Sequence, residues 1–306
     1  MGRERRDGRQ MSKNRLRENV AAYIFLSPIL LFFAVFFAFA VGFSVWISFK
    51  QWNMLISPID APSIGFDNYS SLFSDPLFTA SLFNTIVYAF TTTVAILVLS
   101  LLIAAALNNI KNAAIWRFIY FAPSITPAVA VGMIWGYLYN PSRGIVNEVL
   151  GWLGVPAHNW LTDPRYALMA IIITAVWAGM GASILIFTAG LKAIPQSYYD
   201  AAKIDGASRI KMFWAITLPL LKPTILFLLI TGMIGAWQVF DLIYMMGANA
   251  PASSVQVISL YIYNTAFVNL QMGRASAAAM ILFVIVLIIT LFILRIFRQG
   301  GIESYE

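Results

Sequence analysis

The sequence predicts an all-α polytopic membrane protein with six transmembrane helices, on the strength of three observations. First, 60% of the 306 residues are hydrophobic and only 11% are charged, whereas soluble domains carry about 25% charged residues. Second, the apolar residues gather into runs long enough for a helix to cross a bilayer, which takes about 20 residues. Third, Lys and Arg are distributed unevenly among the segments between these runs. The sequence contains no Cys, which excludes disulfide and thiol chemistry in this chain.

Six apolar runs divide the chain in order. The predicted spans are 21–49, 82–107, 115–138, 166–190, 224–246 and 275–294; they form one transmembrane domain, 21–298, between a basic tail, 1–20, and a short tail, 299–306. Pro123 and Pro127 fall inside the third run, so we expect a kink there, with neighbouring helices satisfying the freed backbone groups. Apolar residues between 145 and 153 share one helical face, which predicts a short helix lying in the membrane interface.

The basic residues predict the orientation of these spans. With the N-terminus inside, the inner segments hold 16 Lys and Arg residues and the outer segments hold four. Such an excess is typical of the cytoplasmic side of a membrane protein. We therefore expect both termini and the 191–223 segment in the cytoplasm. Because the basic residues flank apolar runs, the net charge of +7 indicates a lipid bilayer as partner and no nucleic acid.

The 191–223 segment is the longest stretch in which charges are regularly spaced, and it lies between two apolar runs. Ser197 followed by Asp200 is a capping-box pattern with Asp in place of Glu, so we expect a helix to start at Ser197. Asp205 and Gly206 then predict a sharp turn, because Gly adopts the left-handed conformation readily. Asp205 is the expected cap of a second short helix that starts near Ala207.

This segment resembles the EAA loop of bacterial ABC importer permeases. The family pattern is matched by Asp200-Ala201-Ala202, Asp205-Gly206-Ala207, Phe213, Ile216, Pro219 and Pro223, with Asp200 where Glu is usual. The resemblance implies the type I ABC importer permease fold and a coupling helix that docks into a groove on an ATP-hydrolysing subunit. It implies coupling roles for Ser197, Tyr199, Asp200, Ala201, Ala202, Asp205, Gly206 and Ala207.

The resemblance extends to the sugar-importer branch of that family. It is carried by Phe240-Asp241, Tyr261-Ile262-Tyr263, Ala266-Phe267 and Gly273-Arg274-Ala275-Ser276-Ala277, whereas residues 246–251 depart from the usual Thr-Gly-Gly-Gly-Pro turn. It implies a second, homologous permease subunit, two ATP-binding subunits, an extracytoplasmic sugar-binding protein, alternating access, and location in a bacterial or archaeal cytoplasmic membrane. The sequence has no GxxxxGK[ST] motif, so we expect no cofactor in this chain and ATP with Mg on the partner ATPase.

Asp241 is the one ionisable residue well inside a predicted span, and an ionised carboxylate there should face protein or water. Trp237, Asp241 and Tyr244 are spaced i, i+4, i+7, which places them on one face of a continuous helix with Gln238 adjacent. Aromatic rings and polar groups on one face suit a sugar in a substrate pathway. A helix–helix hydrogen bond or an interfacial aromatic belt explains the same pattern equally well.

Other classes of protein, and another location for the pathway, remain open from sequence. Asn84 and Trp135, on the second and third spans, are the alternative positions for a substrate site. An ion-coupled secondary transporter subunit is the alternative function, although such proteins usually carry several intramembrane ionisable groups. A hydrolase is disfavoured because the only His, His158, lies in a loop without a catalytic motif around it.

Overall fold

A computed structural model describes residues 19–108 and 110–299 of the chain. Within those ranges the regular secondary structure is helical, and extended pairing is limited to one isolated bridge between Lys50 and Ser63. The helices are α1 (Asn19–Ser48), α2 (Asp67–Phe73), α3 (Pro76–Leu107), α4 (Ala113–Ile125), α5 (Ala128–Leu138), α6 (Ile145–Trp152), α7 (Ala167–Ala193), α8 (Gln196–Ile204), α9 (Arg209–Leu220), α10 (Lys222–Trp237), α11 (Asp241–Met246), α12 (Ala252–Val255), α13 (Ile258–Val268) and α14 (Met272–Gln299).

Four of these helices, α1, α3, α7 and α14, are long and apolar enough to cross a membrane by themselves. Two bent pairs, α4 with α5 and α9 with α10, are long enough when each pair is taken as one span, which brings the total to six. The predicted all-α membrane fold is confirmed. The predicted tails lie mostly outside the described residues, since 1–18 and 300–306 are not described.

The third span is broken rather than kinked. Its two halves meet at 99°. Thr126 is extended, with ψ 131°, because a residue that precedes proline is driven out of the helical region. Pro127 then has no N–H to donate to the preceding turn, and a new helix starts directly after it.

The fifth span also departs from the prediction. A continuous helix over 224–246 was expected, but α10 ends at Trp237 and α11 begins only at Asp241. Phe240, between them, has φ −136° and ψ −62°, which no helix accommodates. The prediction of one uninterrupted helix here is wrong. The break contains neither Gly nor Pro, so tertiary packing and not local propensity determines it.

The core lies along α3 and α7, which pack against each other over much of their length. Near the 191–223 loop, buried Ile184, Phe187 and Leu221 form one apolar cluster. At the opposite end, Ile171, Ile243 and other buried residues form a second cluster. Helix α1 is peripheral: Ala40–Ser48 packs on α14, and the most apolar window of α1 contains no buried residue.

A polar contact ties the N-terminal ends of α3 and α14. Asp75 caps α3 by accepting a hydrogen bond from the N–H of Leu77 at 2.8 Å, and its other oxygen accepts from Tyr261 Oη and Arg274, each also at 2.8 Å. Burial raises the pKa of the Asp75 carboxyl. The hydrogen bonds from Tyr261 and Leu77 and the charge of Arg274 outweigh burial and hold that pKa below its usual value.

The loop between spans three and four contains the expected short helix, α6. Trp152, its last residue, and Leu153, which follows it, are exposed. The loop after α6 folds on Asn147, whose side-chain oxygen accepts hydrogen bonds from Trp160 Nε1 at 2.7 Å and from the His158 N–H at 3.2 Å. The His158 ring packs on Tyr166, with ring centroids 4.7 Å apart. His158 therefore has a packing role in this loop.

Candidate functional site: an exposed helix–turn–helix and a cavity between two helix breaks

The first candidate site is the helix–turn–helix made by α8 and α9. Helix α8 starts at Gln196, directly after Pro195, and no side chain caps its N-terminus. The Ser197–Asp200 capping box is therefore absent, because Pro195 occupies the cap position and Ser197 already lies inside the first turn. Asp200 instead accepts hydrogen bonds from Lys203 Nζ at 3.0 Å and from Gln196 Nε2 at 3.2 Å. Those two bonds, with the one from Lys203 the stronger, hold the pKa of the Asp200 carboxyl below its usual value.

The turn after α8 is a Schellman motif. Gly206 has φ +71°, its N–H donates to Lys203 O at 3.0 Å, and the Ala207 N–H donates to Ala202 O at 2.9 Å. These two bonds satisfy the last carbonyls of the helix, which have no partner within it. The predicted left-handed turn at Gly206 is present, and Ala202 and Ala207 are engaged in it through their backbones.

The second helix of the motif is capped by Ser208, not by Asp205. Asp205 is the C-cap of α8. Ser208 Oγ accepts the N–H of Lys211 at 3.3 Å and starts α9 at Arg209. The expected role of Asp205 and the expected start near Ala207 are wrong, because the Schellman turn uses residues up to Ala207 to finish α8 and moves the next N-terminus along by two positions.

This helix–turn–helix presents an apolar surface. No residue of α8 is buried, and Ile204, Ile210 and Trp214 expose 87%, 74% and 64% of their surfaces. Ala201 is also exposed, so a second surface can approach the helix backbone closely. Large apolar side chains grouped at an exposed turn are typical of a protein–protein contact.

A hydrogen bond joins α8 to the part of α9 that leads into α10. Tyr199 Oη lies 2.9 Å from Thr217 Oγ1, and Thr217 is buried. Thr217 ends a π-helical turn, Phe213–Thr217, in the segment that leads into α10. A cavity of about 430 Å³ lies beside this bond, lined by polar Asn108, Lys203 and other residues.

The second candidate site is a cavity of about 390 Å³ formed where the two helix breaks face each other. Span three contributes the segment around Pro123, span five contributes the segment from Gln238 to Leu242, and α3 and α7 complete the wall. Its lining residues are Tyr88, Pro123, Ser124, Thr126, Ala128, Val131, Ala175, Ala178, Gly179, Gln238, Val239, Phe240, Asp241 and Leu242. Binding sites at unwound helix segments are a common design in transport proteins.

An adjoining cavity of about 360 Å³ continues between α3, α7 and α10. It shares Tyr88, Ala175, Gly179 and Val239 with the first, so the two cavities are neighbours. The buried Thr93 hydroxyl lines it and has no hydrogen-bond partner within the described part of the chain. A buried hydroxyl without a partner is costly, and a water molecule in this cavity would satisfy it.

Ser124 fixes the broken third span against α7. Its hydroxyl donates to Ala178 O at 2.7 Å and accepts from the Ala182 N–H at 3.2 Å, and so inserts into one turn of the α7 hydrogen-bond ladder. Gly181 allows this close approach, since a Cβ there would overlap the Tyr120 carbonyl oxygen. These contacts hold the break in register with the cavity.

The structure separates the residues that the sequence placed on one face of span five. Gln238 and Asp241 line the cavity between the breaks. Trp237 is only 2% exposed and packs with Met233 and Ile293 in the core. Tyr244 lines a different cavity, of about 500 Å³. The predicted common face is wrong, because it requires a helix that continues through 238–240.

The alternative positions on spans two and three are structural in this conformation. Asn84 is buried and donates to the backbone carbonyls of Ser253 at 3.0 Å and Gln256 at 3.1 Å, which uses both of its amide hydrogens. Trp135 packs between Tyr139 and Trp177. Sequence reasoning missed Ser124, Thr126 and Tyr88; the only signal for the first two was their position beside the prolines of the break.

Comparison with known proteins places this architecture in a family. Residues 96–299 match the family described as "Binding-protein-dependent transport system inner membrane component". The chain is 36% identical over 295 residues to "Probable ABC transporter permease protein YesP" of Bacillus subtilis, which covers 94% of each chain. It is also 36% identical to "Trehalose/maltose transport system permease protein MalF" of Thermococcus litoralis, over 95% of this chain and 98% of the relative.

Solved structures give the same result. A chain of a bacterial ABC transporter "involved in the import of the acidic polysaccharide alginate" aligns with a TM-score of 0.83 at 26% identity, over 96% of this chain and 100% of that one. A second structure, of a bacterial alginate ABC transporter in complex with an "alginate pentasaccharide-bound periplasmic protein", aligns with a TM-score of 0.81 at 25% identity.

Proposed function

The chain belongs to the binding-protein-dependent transport system inner membrane components and has the fold of an ABC importer permease; from this premise we propose that it forms one half of the membrane pathway of an ATP-driven sugar or oligosaccharide importer. It is a transport subunit and not an enzyme. Support for a saccharide comes from relatives over nine-tenths of the chain, which are named for trehalose and maltose or for arabinooligosaccharides.

The observation that carries the proposal is the exposed helix–turn–helix with its internal link to span five. Its apolar tip, made by Ile204, Ile210 and Trp214, suits a groove on an ATP-hydrolysing subunit. The Tyr199–Thr217 hydrogen bond connects that tip to the base of α10. Closure of two ATPase subunits on ATP then moves this segment and, through it, the wall of the cavity.

The cavity between the helix breaks is the pathway of the proposal. Gln238 and Asp241 offer an amide and a carboxylate, which suit the hydroxyls of a sugar. Phe240, which is half-buried, offers a ring that can stack on an apolar face of the sugar. Alternating access requires that this path open to one side at a time, and the two breaks are the positions at which half-helices move separately.

The remaining components are partners. A second, homologous permease subunit completes the path, two ATP-binding subunits hold ATP and Mg, and an extracytoplasmic sugar-binding protein delivers the cargo. The complex lies in the cytoplasmic membrane with both termini of this chain inside, as the 16-to-four distribution of Lys and Arg indicates. A reporter fused after Glu306 tests this orientation, and an extracytoplasmic signal from it contradicts the proposal.

Reconstitution tests the function directly. The complete complex is placed in proteoliposomes with its binding protein, and uptake of a panel of labelled saccharides is measured with ATP inside the vesicles. We expect uptake of at least one saccharide that requires both ATP and the binding protein. A matched complex whose ATPase subunits cannot hydrolyse ATP is the control. Uptake that persists with that control and follows an ion gradient instead identifies a secondary transporter.

A further inference from the structure

We infer that the cavity of about 500 Å³ beside the end of span five is a second saccharide site, next to the cavity between the helix breaks. This inference rests on the proposed function and deepens it, because a site for a further sugar unit makes the cargo an oligosaccharide of at least two units. Helices α11, α12 and α13 form the walls of the cavity. Its volume is within the range of small-ligand sites, about 300–1,000 Å³.

Three polar side chains line this cavity and keep their hydrogen-bonding capacity: Tyr244, Gln256 and Asn264. In the described part of the chain, the hydrogen bonds of these residues use backbone atoms only. Gln256 is only 3% exposed, and an amide without a partner is costly to bury. Water satisfies such groups while the cavity holds no ligand. A sugar hydroxyl, which both donates and accepts, can replace that water.

The wall that carries Gln256 is fixed in place by contacts with α3. Asn84 donates to Ser253 O at 3.0 Å and to Gln256 O at 3.1 Å. Thr85 Oγ1 accepts a hydrogen bond from the Ile258 N–H at 2.8 Å, and both of these residues are buried. The backbone on each side of the Gln256 side chain is therefore held before a ligand arrives. Such preorganisation lowers the entropic cost of binding.

Stacked rings separate this cavity from the one between the helix breaks. Tyr244 lines the former and is 47% exposed, and Phe240 lines the latter. Their ring centroids are 5.4 Å apart and their planes differ by 22°. Tyr263 completes the cluster, with its centroid 5.2 Å from that of Phe240. Because aromatic rings offer large flat apolar surfaces, two adjoining cavities with rings between them suit consecutive units of one saccharide.

The absence of Cys from the sequence makes a direct test by protection possible. Ala252 is exposed and lines the cavity, so Ala252→Cys is the reporter. Ser253, its neighbour on α12, is also exposed but does not line the cavity, so Ser253→Cys is the matched control. Each is made in the full chain, assembled with Cys-free partner subunits and placed in lipid nanodiscs without ATP or binding protein. The rate of alkylation by a water-soluble maleimide is measured with each saccharide of the uptake panel.

We expect at least one saccharide of two or more units to slow alkylation at Ala252→Cys and to leave Ser253→Cys unchanged. Adding Tyr244→Ala should raise the half-protecting concentration about tenfold, equivalent to about 1.4 kcal/mol, and Tyr244→Phe, which keeps the ring, should raise it less. Gln256→Leu should raise it about fivefold through the loss of a hydrogen bond. Tyr137→Ala is the matched control, since Tyr137 is exposed on α5 and outside this cavity; it should change nothing.

Three results overturn the inference: protection by none of the saccharides, equal protection of both Cys residues, or protection that neither Tyr244→Ala nor Gln256→Leu weakens in assembled complexes. Alkylation by a lipid-soluble maleimide but not by the water-soluble one also overturns it, because acyl chains then fill the cavity. Uptake by the parent complex is measured separately. ATP-dependent uptake without protection refutes the second site alone, whereas protection without ATP-dependent uptake refutes the proposed function and supports the site.

Discussion

Replacing Gly206 by Ala should uncouple the ATPase from the membrane domain without unfolding the chain. Gly206 has φ +71°, and nothing lies within 4 Å of the position of an added Cβ, so the substitution meets no clash and introduces backbone strain alone. A left-handed residue other than Gly costs about 1–2 kcal/mol. That energy lowers the population of the Schellman turn relative to its alternatives by a factor of roughly 5–30.

Cargo-stimulated ATP hydrolysis by the reconstituted complex is the measurement, and we expect it to fall, by no more than the roughly 5–30-fold change in the ratio of turn to alternatives. Gly154→Ala is the matched control, because Gly154 has φ +78° with the same open space but lies in the loop after α6. It introduces equal strain and should leave stimulated hydrolysis unchanged. Gly206→Asn should recover part of the activity, since Asn tolerates the left-handed region. Normal stimulation in Gly206→Ala, with complex assembly intact, refutes the role of the turn.

Three further predictions concern single contacts. Tyr199→Phe removes the 2.9 Å bond to Thr217. It should lower uptake per ATP hydrolysed, and it should change the melting temperature little because one such bond contributes about 1 kcal/mol. Unchanged uptake per ATP contradicts the link between α8 and span five. The lowered pKa of Asp75 means that its pairing with Arg274 stabilises the fold above the ordinary carboxyl pKa and is lost as pH falls through the lower native pKa. The melting temperature of the purified wild-type complex should therefore fall below about pH 4. The fall should be smaller in Asp75→Asn, and an equal fall in the two proteins contradicts the prediction. Gly181→Ala should reduce the yield of folded chain, since its Cβ overlaps the backbone of the third span. A yield equal to that of the wild type, measured by size-exclusion chromatography, contradicts this prediction, because it shows that α7 and the third span move apart there without cost.

Sequence reasoning succeeded where local chemistry decides the backbone. Pro123 and Pro127 predicted a kink in span three, and the helix is interrupted at Thr126 and Pro127 because proline removes a hydrogen-bond donor and restricts the residue before it. Gly206 predicted the left-handed turn, because glycine adopts positive φ without steric cost. The charge distribution and the apolar runs indicated the spans, since the bilayer constrains helix length and charge strongly.

It failed where distant contacts decide the structure. Residues 237–244 have the spacing of a continuous helix, and nothing local in them indicates the break at Phe240. Ser124 bonds α7 across 54 and 58 positions of the chain, a contact that no pattern in one sequence contains. Asp205 and Ser208 are both good N-caps, and only the Schellman geometry selects Ser208.

Reversible cross-linking tests the central claim most directly. Ala201 is exposed on α8, so Ala201→Cys in the otherwise Cys-free chain can be paired with a Cys placed along the docking groove of the ATPase subunit. We predict that the disulfide forms in the assembled complex, that it stops ATP-driven uptake, and that reduction restores uptake. The same cross-link should not form from Gly151→Cys on α6, which the proposed topology places on the opposite side of the membrane. Efficient cross-linking from Gly151→Cys, or full uptake with Ala201→Cys cross-linked, contradicts coupling through this segment.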